Sequence, residues 1–247
     1  MKELLQLAWD ALLFKHTAYT QHVARADALK RGLILLVLVT LLGGVISLII
    51  NVVDDLQPMN LEAQRRKTEQ AFQGFFRSWE PYLDLPPDFN PDAILALLRP
   101  GMETGFRIAQ LPTRLPRPVG TLLESLGGFL SLPFGRLAGW LGYAIWVLLI
   151  AKLLGGRATV AQMLGVTLLY VVPHFLDFLG FVPCLGPVLW VVATVWGIAI
   201  YVKAVAVAND FGIERAIAAT AIPALAGMVL ALLGLLVTLI PILMSSR

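Results

Sequence analysis

The sequence predicts an all-α, polytopic integral membrane protein with five transmembrane helices plus interfacial amphipathic helices. The 247-residue chain is 58% hydrophobic and only 14% charged, whereas about a quarter of the residues of a soluble domain are charged. Its charges lie mainly in the first thirty residues, between positions 54 and 136, and at the ends of apolar runs. Five of these runs reach the roughly 20 residues that a helix needs to cross a bilayer. The lipid bilayer is therefore the predicted environment.

The remaining composition excludes several other classes of protein. The single cysteine, Cys184, excludes an intramolecular disulfide and any multi-cysteine metal site. The net charge of +3 comes from scattered basic residues that flank apolar segments, so they are interpreted as topology signals and no nucleic acid partner is predicted. The first apolar run begins only at Gly32 and is too long for the core of a signal peptide, which indicates a retained span.

Caps and breaks delimit the spans. Thr159 and Gln162 have the spacing of a capping box before the third span, and Ser131 with Pro133 predicts the start of the second. Pro187 suits the first turn of the fourth. The five predicted spans are Gly32–Val53, Phe134–Leu154, Val160–Phe181, Val188–Ala208 and Ala216–Leu243. The predicted organisation is a cytoplasmic interfacial segment (1–31), the first transmembrane helix (32–53), an extracytoplasmic loop with amphipathic helices (54–132) and a four-helix transmembrane region (133–247).

The basic residues predict the orientation, because lysine and arginine are enriched in cytoplasmic connections. Three short segments that fall on one side of the five-span arrangement carry them: Lys2, Lys15, Arg25, Lys30 and Arg31; Lys152 and Arg157; Lys203 and Arg215. The sequence therefore predicts a multi-pass protein of the cell membrane with a cytoplasmic N-terminus and an extracytoplasmic C-terminus.

Two peripheral segments show helical amphipathicity. In the N-terminal segment the residues Leu5, Trp9, Leu12 and Leu13 lie near one side, which is typical of a helix anchored in the interface; a partner-binding arm is the alternative. In the loop, aromatic residues at helical spacing predict helices that lie on the outer leaflet or on the bundle, and a lid or docking surface is the alternative. These aromatic residues are Phe72, Phe75, Phe76 and Trp79.

A polar stripe marks the third predicted span. At 100° per residue Thr167, Tyr170, His174 and Asp177 fall within an arc of about 80°. Ionisable residues inside membranes face the bundle or a wet cleft and are functional candidates. Arg136, at the outer start of the second span, is the predicted partner of Asp177, with His174 as the other. Structural packing, a polar ligand or proton site, and a partner contact remain open as interpretations.

The usual enzyme motifs are missing from the sequence. It contains no H-E-x-x-H, G-x-S-x-G or nucleotide-binding glycine loop. We therefore predict no catalytic activity, no cofactor and no metal site.

Small residues form two further stripes, and such stripes allow helices to approach closely in lipid. Intramolecular packing is the preferred prediction, with a homo-oligomer or protein-partner seam as the alternative. The stripes are Gly135, Gly139 and Gly142 in the second span, and Ala224, Gly227, Ala231 and Gly234 in the fifth.

The segment Gly155–Leu225 resembles the Yip-domain family (Ypt-interacting proteins) in its prokaryotic branch. The likeness comes from Pro173, the Pro183–Gly186 turn, the Trp196–Ile200 stretch and "ERAIAATAIPAL" beginning at Glu214. The resemblance implies an all-helical five-span fold and no agreed activity for prokaryotic members. For eukaryotic relatives it implies trafficking adaptors that engage prenylated Rab-type GTPases.

Two functions follow as hypotheses. The first is a non-enzymatic membrane scaffold or adaptor that organises lipid or partner proteins. The second is a small transporter or channel that uses the polar stripe of the third span. A hydrated path from Asp177 toward Lys203 would favour transport, and a packed interior would favour the scaffold.

Overall fold

The computed structural model describes residues 2–56, 66–71, 73–74, 91–109, 116–182 and 185–245. These residues are almost all helical, and none of them forms a strand. The chain divides into two compact units, one of residues 1–49 with 126–247 and one of residues 50–125. In chain order the helices are α1 (Lys2–Leu12), α2 (His16–Val23), α3 (Ala28–Leu56), α4 (Pro91–Ala109), α5 (Arg117–Leu153), α6 (Val160–Thr167), a 3-10 helix (Leu168–Leu179), α7 (Leu185–Asn209) and α8 (Ile213–Ser245).

Five helical segments of the described chain are long and apolar enough to cross a membrane, which confirms the predicted all-α fold class with five spans. They are Ala28–Ile50, Pro118–Leu153, Val160–Leu179, Leu185–Asn209 and Ile213–Gly234. The third is formed by α6 and the 3-10 helix together. The type of membrane and the sides on which the termini lie stay predictions from the basic residues.

The helix that contains the second span begins earlier than predicted. Helix α5 starts at Arg117 and passes through Ser131 and Pro133, so these residues do not begin the helix as predicted, while the loop boundary at 132 stays a prediction. The reason is tertiary packing. The leucine and phenylalanine of "FLSL" lie against α3, where a Cβ at Gly44 would be 2.7 Å from Leu132 Cδ1 and 3.3 Å from Phe129.

The start of α6 agrees with the prediction. The Gln162 backbone N–H donates to Thr159 Oγ1 at 3.2 Å, and the Thr159 backbone N–H donates to Gln162 Oε1 at 3.0 Å. These reciprocal bonds satisfy two N–H groups that have no partner inside the helix. The third span therefore begins at a fixed point beside the α5–α6 connection.

The third span changes helix type after Thr167. Residues 168–179 form a 3-10 helix with Pro173 in its interior. Proline has no backbone N–H and so cannot donate the usual hydrogen bond of the helix. At Pro173 the missing bond is the one to the carbonyl three residues earlier, that of Tyr170. At 1.5 and 2.0 Å per residue, α6 and the 3-10 helix rise about 12 and about 24 Å, so together they suffice for a hydrocarbon core of about 30 Å.

The core lies where the third span packs against α7. Leu168, Leu169 and Val171 are fully buried there, as are Ile200 and Val205 of α7. The third span and α7 approach closely because α7 has a glycine where the two helices cross. A Cβ at Gly197 would be 2.8 Å from the Tyr170 carbonyl oxygen, which is also the carbonyl that Pro173 leaves without a helical N–H donor.

The N-terminal segment forms two short helices instead of one. Phe14, with φ of 53°, ends the first, and its ring stacks on Trp196 at 6.3 Å between centroids. Trp196 Nε1 also donates to the Leu12 carbonyl at 3.1 Å, so α1 is attached to α7. Leu5 and Trp9 are 66% and 61% exposed, and this apolar side remains available to lipid.

The smaller unit contains helical residues 66–71 and the helix α4, which has Pro100 in its interior. Arg99 Nε lies 3.8 Å from Glu69 Oε1, which links the two. The predicted aromatic set of the loop, Phe72, Phe75, Phe76 and Trp79, lies outside the described residues.

The small-residue stripes are not used as predicted. Within the described part of the chain, a Cβ at Gly135, Gly139 or Gly142 of α5 would meet nothing within 4 Å, and the same holds for Gly227 of α8. Against the described helices, the preferred prediction of intramolecular packing therefore fails for Gly135, Gly142 and Gly227, while Gly139 faces a space that α5 shares with α7 and α8. Helix α5 instead uses the neighbouring face, on which Trp140, Ala144, Val147 and Ala151 are buried.

Candidate functional site

The predicted partners of Asp177 are both present. Its Oδ2 accepts hydrogen bonds from Arg136 Nη2 at 3.3 Å and from His174 Nδ1 at 3.2 Å. The side chains of Arg136 and Asp177 are 25% and 23% exposed, and that of His174 is 10% exposed. The other carboxylate oxygen, Oδ1, is buried without a partner among the described residues. These three side chains form the Asp177 cluster.

Helix α5 holds the cluster in place through a second contact one turn away. Trp140 Nε1 donates to Thr167 Oγ1 at 3.2 Å, and Thr167 Oγ1 donates to the Met163 carbonyl at 2.8 Å. Arg136 and Trp140 are four residues apart and therefore share a face of α5. The second and third spans are thus joined by one charged and one uncharged polar contact.

Tyr170 does not complete this network as predicted. Its ring meets the His174 ring edge-on at 6.2 Å and the Tyr201 ring at 6.2 Å, so the contacts are aromatic. The expected single stripe assumed 100° per residue, but a 3-10 helix turns about 120° per residue. In a 3-10 helix, residues three apart lie on the same side. Thr167 and Tyr170 therefore share one side, and His174 and Asp177 share another, about 120° from the first.

The geometry suits the cluster to holding helices together. Because a carboxylate accepts only, the His174 Nδ1 must carry the proton that it donates to Asp177. The positive Arg136 and the negative Asp177 offset each other, as burial of charge inside a membrane protein requires. The His174 Nε2 lies on the side of Gly197, 3.7 Å from the position of a Cβ there. It is the ring nitrogen that the carboxylate does not use.

Substitutions of Asp177 distinguish charge from shape. Asn retains an oxygen that accepts from Arg136 and His174, whereas Leu leaves the Arg136 guanidinium half-buried without its acceptor. We expect Asp177→Leu to lower the free energy of unfolding in detergent by about 1–2 kcal/mol more than Asp177→Asn, the scale of polar contacts between membrane helices. Replacing both partners, in Arg136→Leu with Asp177→Leu, should recover part of the loss. If the parent protein, the two single variants and the double variant were equally stable, the cluster would have no structural role.

A second polar cluster, which sequence reasoning used only for topology, joins α1 to the start of α3. Arg31 donates from Nη2 to Glu3 Oε2 at 2.8 Å and from Nε to Asp27 Oδ2 at 2.7 Å. Arg25 Nε donates to Asp27 Oδ1 at 2.9 Å. Hydrogen bonds from Arg31 and then Arg25 lower the pKa of Asp27 to about 2. The Asp27 carboxylate therefore stays charged at neutral pH and holds Arg31, whose second bond, to Glu3, links α3 to α1.

His22 was also missed. It is 1% exposed, and its Nε2 lies 3.3 Å from the Gly165 carbonyl oxygen of α6. Since the carbonyl accepts, Nε2 carries a proton, and burial lowers the pKa of His22, with Arg31 acting in the same direction. A neutral histidine thus fixes α2 to the third span. No sequence signal distinguished this histidine from the exposed His16.

Asn209, at the end of α7, was missed for a related reason. It is 1% exposed, its Oδ1 accepts from the Ala158 backbone N–H at 3.3 Å, and its Nδ2 donates to the Val205 carbonyl at 2.9 Å. The side chain therefore attaches the α5–α6 connection to α7. A lone Asn after an apolar run is most simply interpreted as a helix cap, so its tertiary role could not be inferred.

No family model, curated protein or solved structure matches the chain. The resemblance to Yip-domain proteins accordingly stays an expectation. In the part of the chain that the structure describes, no three or more His, Cys, Asp or Glu residues are grouped as metal ligands would be.

Proposed function

We propose that this multi-pass membrane protein is a non-enzymatic scaffold that associates with a second copy of itself through the small-residue faces of α5 and α8. The observation that carries this proposal is the open space beside Gly135 and Gly142 of α5 and beside Gly227 of α8. In lipid, small residues favour helix association because backbones can approach closely and gain dispersion contacts. Gly135 and Gly142, where a Cβ meets none of the described helices within 4 Å, are suited to such a contact.

The pairing of the intramembrane charges supports a scaffold over a transporter. Asp177 is occupied by Arg136 and His174, so its carboxylate is engaged inside the bundle. The space beside Lys203 is lined by α2, the end of α7 and the start of α8, and it shares no lining residue with the space beside His174. The residues between them, including Ile200 and Val205, are fully buried.

An adaptor role is also what the Yip-domain resemblance implies, and we extend the proposal to it. The N-terminal helices supply a surface for it, since α1 exposes Leu5 and Trp9 while Leu4 and Leu7 pack on the core. The contacts of Leu12 and Phe14 with Trp196 hold this exposed surface beside α7.

Bulky substitutions on the two faces test the proposal. We expect Gly135→Leu, Gly142→Leu and Gly227→Leu to reduce self-association in phosphatidylcholine vesicles, measured by energy transfer between differently labelled copies over a range of protein-to-lipid ratios. The folded monomer should be retained, because a Cβ at each position meets nothing. Ala226→Leu is the matched control, since Ala226 is exposed on α8 about 100° from Gly227. Monomers at every ratio, or equal association of all variants, would overturn the proposal.

A further inference from the structure

A cavity of about 500 Å³ lies among α5, the 3-10 helix, α7 and α8. Its size falls within the roughly 300–1,000 Å³ range of small-molecule sites. Four aromatic rings line it, those of Trp140, Tyr143, Tyr170 and Tyr201. Gly139, Gly197, Ala221 and Ala224 also line it, and their small size leaves the space open.

One boundary of the cavity is a bond between two spans. The Tyr143 hydroxyl of α5 donates to the Thr220 carbonyl of α8 at 2.5 Å. Both residues line the cavity, as does Thr194 of α7. Thr194 and Tyr201 are seven residues apart on one face of α7, so the cavity follows that helix for about 10 Å.

Two hydroxyl groups in this wall have no hydrogen-bond partner among the described residues. They are Thr194 Oγ1 and the hydroxyl of Tyr201, whose residue is only 4% exposed. Thr167 lies close enough to the Tyr201 hydroxyl to affect its acidity, but its Oγ1 already donates to the Met163 carbonyl and accepts from Trp140, and no bond of acceptable geometry joins it to Tyr201. A buried polar group without a partner is destabilising, because it has lost its hydrogen bonds to water. A ligand oxygen in the cavity would remove that cost.

The lining also determines the charge of a suitable ligand. Among the described residues it contains aromatic, aliphatic, small and hydroxyl side chains together with His174, and no Asp, Glu, Lys or Arg. A charged head group would lose its hydration without gaining an ion pair, which is unfavourable. A purely hydrocarbon chain would leave the Tyr201 and Thr194 hydroxyls unpaired.

We propose that this cavity is a binding site for an uncharged, single-chain amphiphile whose hydroxyl oxygen pairs with the Tyr201 hydroxyl. The aromatic rings and small residues receive the apolar chain, and the His174 Nε2 and Thr194 Oγ1 are further polar groups on the same wall. The seam residues Gly135, Gly142 and Gly227 do not line the cavity, although Gly139 and Ala224 of the same two stripes do. Substitutions at Gly135, Gly142 and Gly227 therefore test self-association without changing a residue that lines the cavity.

The test uses the full chain in phosphatidylcholine nanodiscs and a photoreactive hexadecanol with a mid-chain diazirine. We expect saturable labelling of α5 and α7 that hexadecanol displaces and that hexadecane and palmitate displace poorly. Tyr201→Phe should raise the hexadecanol concentration needed for half displacement about tenfold, since one neutral hydrogen bond contributes roughly 1–1.5 kcal/mol. Its stability should be unchanged or higher, because the deleted hydroxyl is unpaired in the protein alone.

Two controls make the result specific. Tyr19→Phe removes a hydroxyl that donates to the Ala11 carbonyl at 2.8 Å outside the cavity, so it should lower stability and leave labelling unchanged. Ala221→Phe fills the cavity and should abolish labelling, whereas Ala226→Phe on the same helix should not. Equal displacement by hexadecane, unaltered binding in Tyr201→Phe, or labelling that never saturates would each overturn the proposal.

Discussion

Gly165→Leu is expected to be the most destabilising single substitution in the bundle, lowering the free energy of unfolding by about 3 kcal/mol or more. A Cβ at Gly165 would be 2.9 Å from the Ala28 Cβ and 3.0 Å from the Leu29 backbone nitrogen. Backbone atoms cannot rotate away as a flexible side chain does, so α3 must move as a body. Overpacking typically costs about 1–3 kcal/mol, and here a lost contact adds to it.

The added loss concerns His22. Because its Nε2 donates to the Gly165 carbonyl oxygen at 3.3 Å, a displaced helix leaves a buried imidazole N–H without an acceptor. Leucine at 165 therefore separates α6 from both α2 and the start of α3. The free energy of unfolding, measured by titration of detergent micelles with dodecyl sulfate, reports the combined loss.

A matched glycine gives the opposite expectation. Gly127 lies in α5, and a Cβ there meets nothing within 4 Å. Gly127→Ala should therefore be neutral or stabilising by up to about 1 kcal/mol through helix propensity, while Gly165→Ala should already destabilise. If the two alanine variants were equally stable, the close approach of α3 to α6 would be wrong.

Local physical chemistry predicts most of the apolar spans, because length and hydropathy are sufficient to identify a membrane helix. The capping box at Thr159 was predictable for the same reason, since it involves residues three apart. The start of α5 was not. Ser131 and Pro133 carry a genuine local signal for a helix start, and the packing of Phe129 and Leu132 against Gly44 overrides it.

The ion pair of the candidate site was predictable from the sequence, but the side of the third span on which each residue lies was not. Charge complementarity predicts Arg136 beside Asp177 once both residues are placed at the outer ends of the second and third spans. The face on which Tyr170 lies depends on the hydrogen-bond register of the third span, which changes from α to 3-10 after Thr167. A sequence pattern does not reveal that register, and each residue of 3-10 helix rotates the later side chains by about 20° more than an α-helix does.

Asn209→Leu is expected to lower the free energy of unfolding by about 2–3 kcal/mol, because it keeps the volume and removes both polar functions of a buried side chain. The Ala158 backbone N–H loses the acceptor that it bonds at 3.3 Å, and a buried unsatisfied N–H costs about 1–3 kcal/mol. The bond from Nδ2 to the Val205 carbonyl is also lost. Dodecyl sulfate titration of the purified protein measures the change.

The neighbouring Asp210 provides the control. It is exposed and has φ of 54°, a conformation that asparagine tolerates as well as aspartate. Asp210→Asn should therefore change the stability by less than about 0.5 kcal/mol, as surface substitutions do.

The loss in Asn209→Leu should also be local at first, because Asn209 is what attaches the α5–α6 connection to α7. Amide exchange at residues 156–158 should accelerate before exchange in the 3-10 helix does. Equal stability of the two variants, or unchanged exchange in the connection, would show that the Asn209 contacts contribute nothing to joining the second, third and fourth spans.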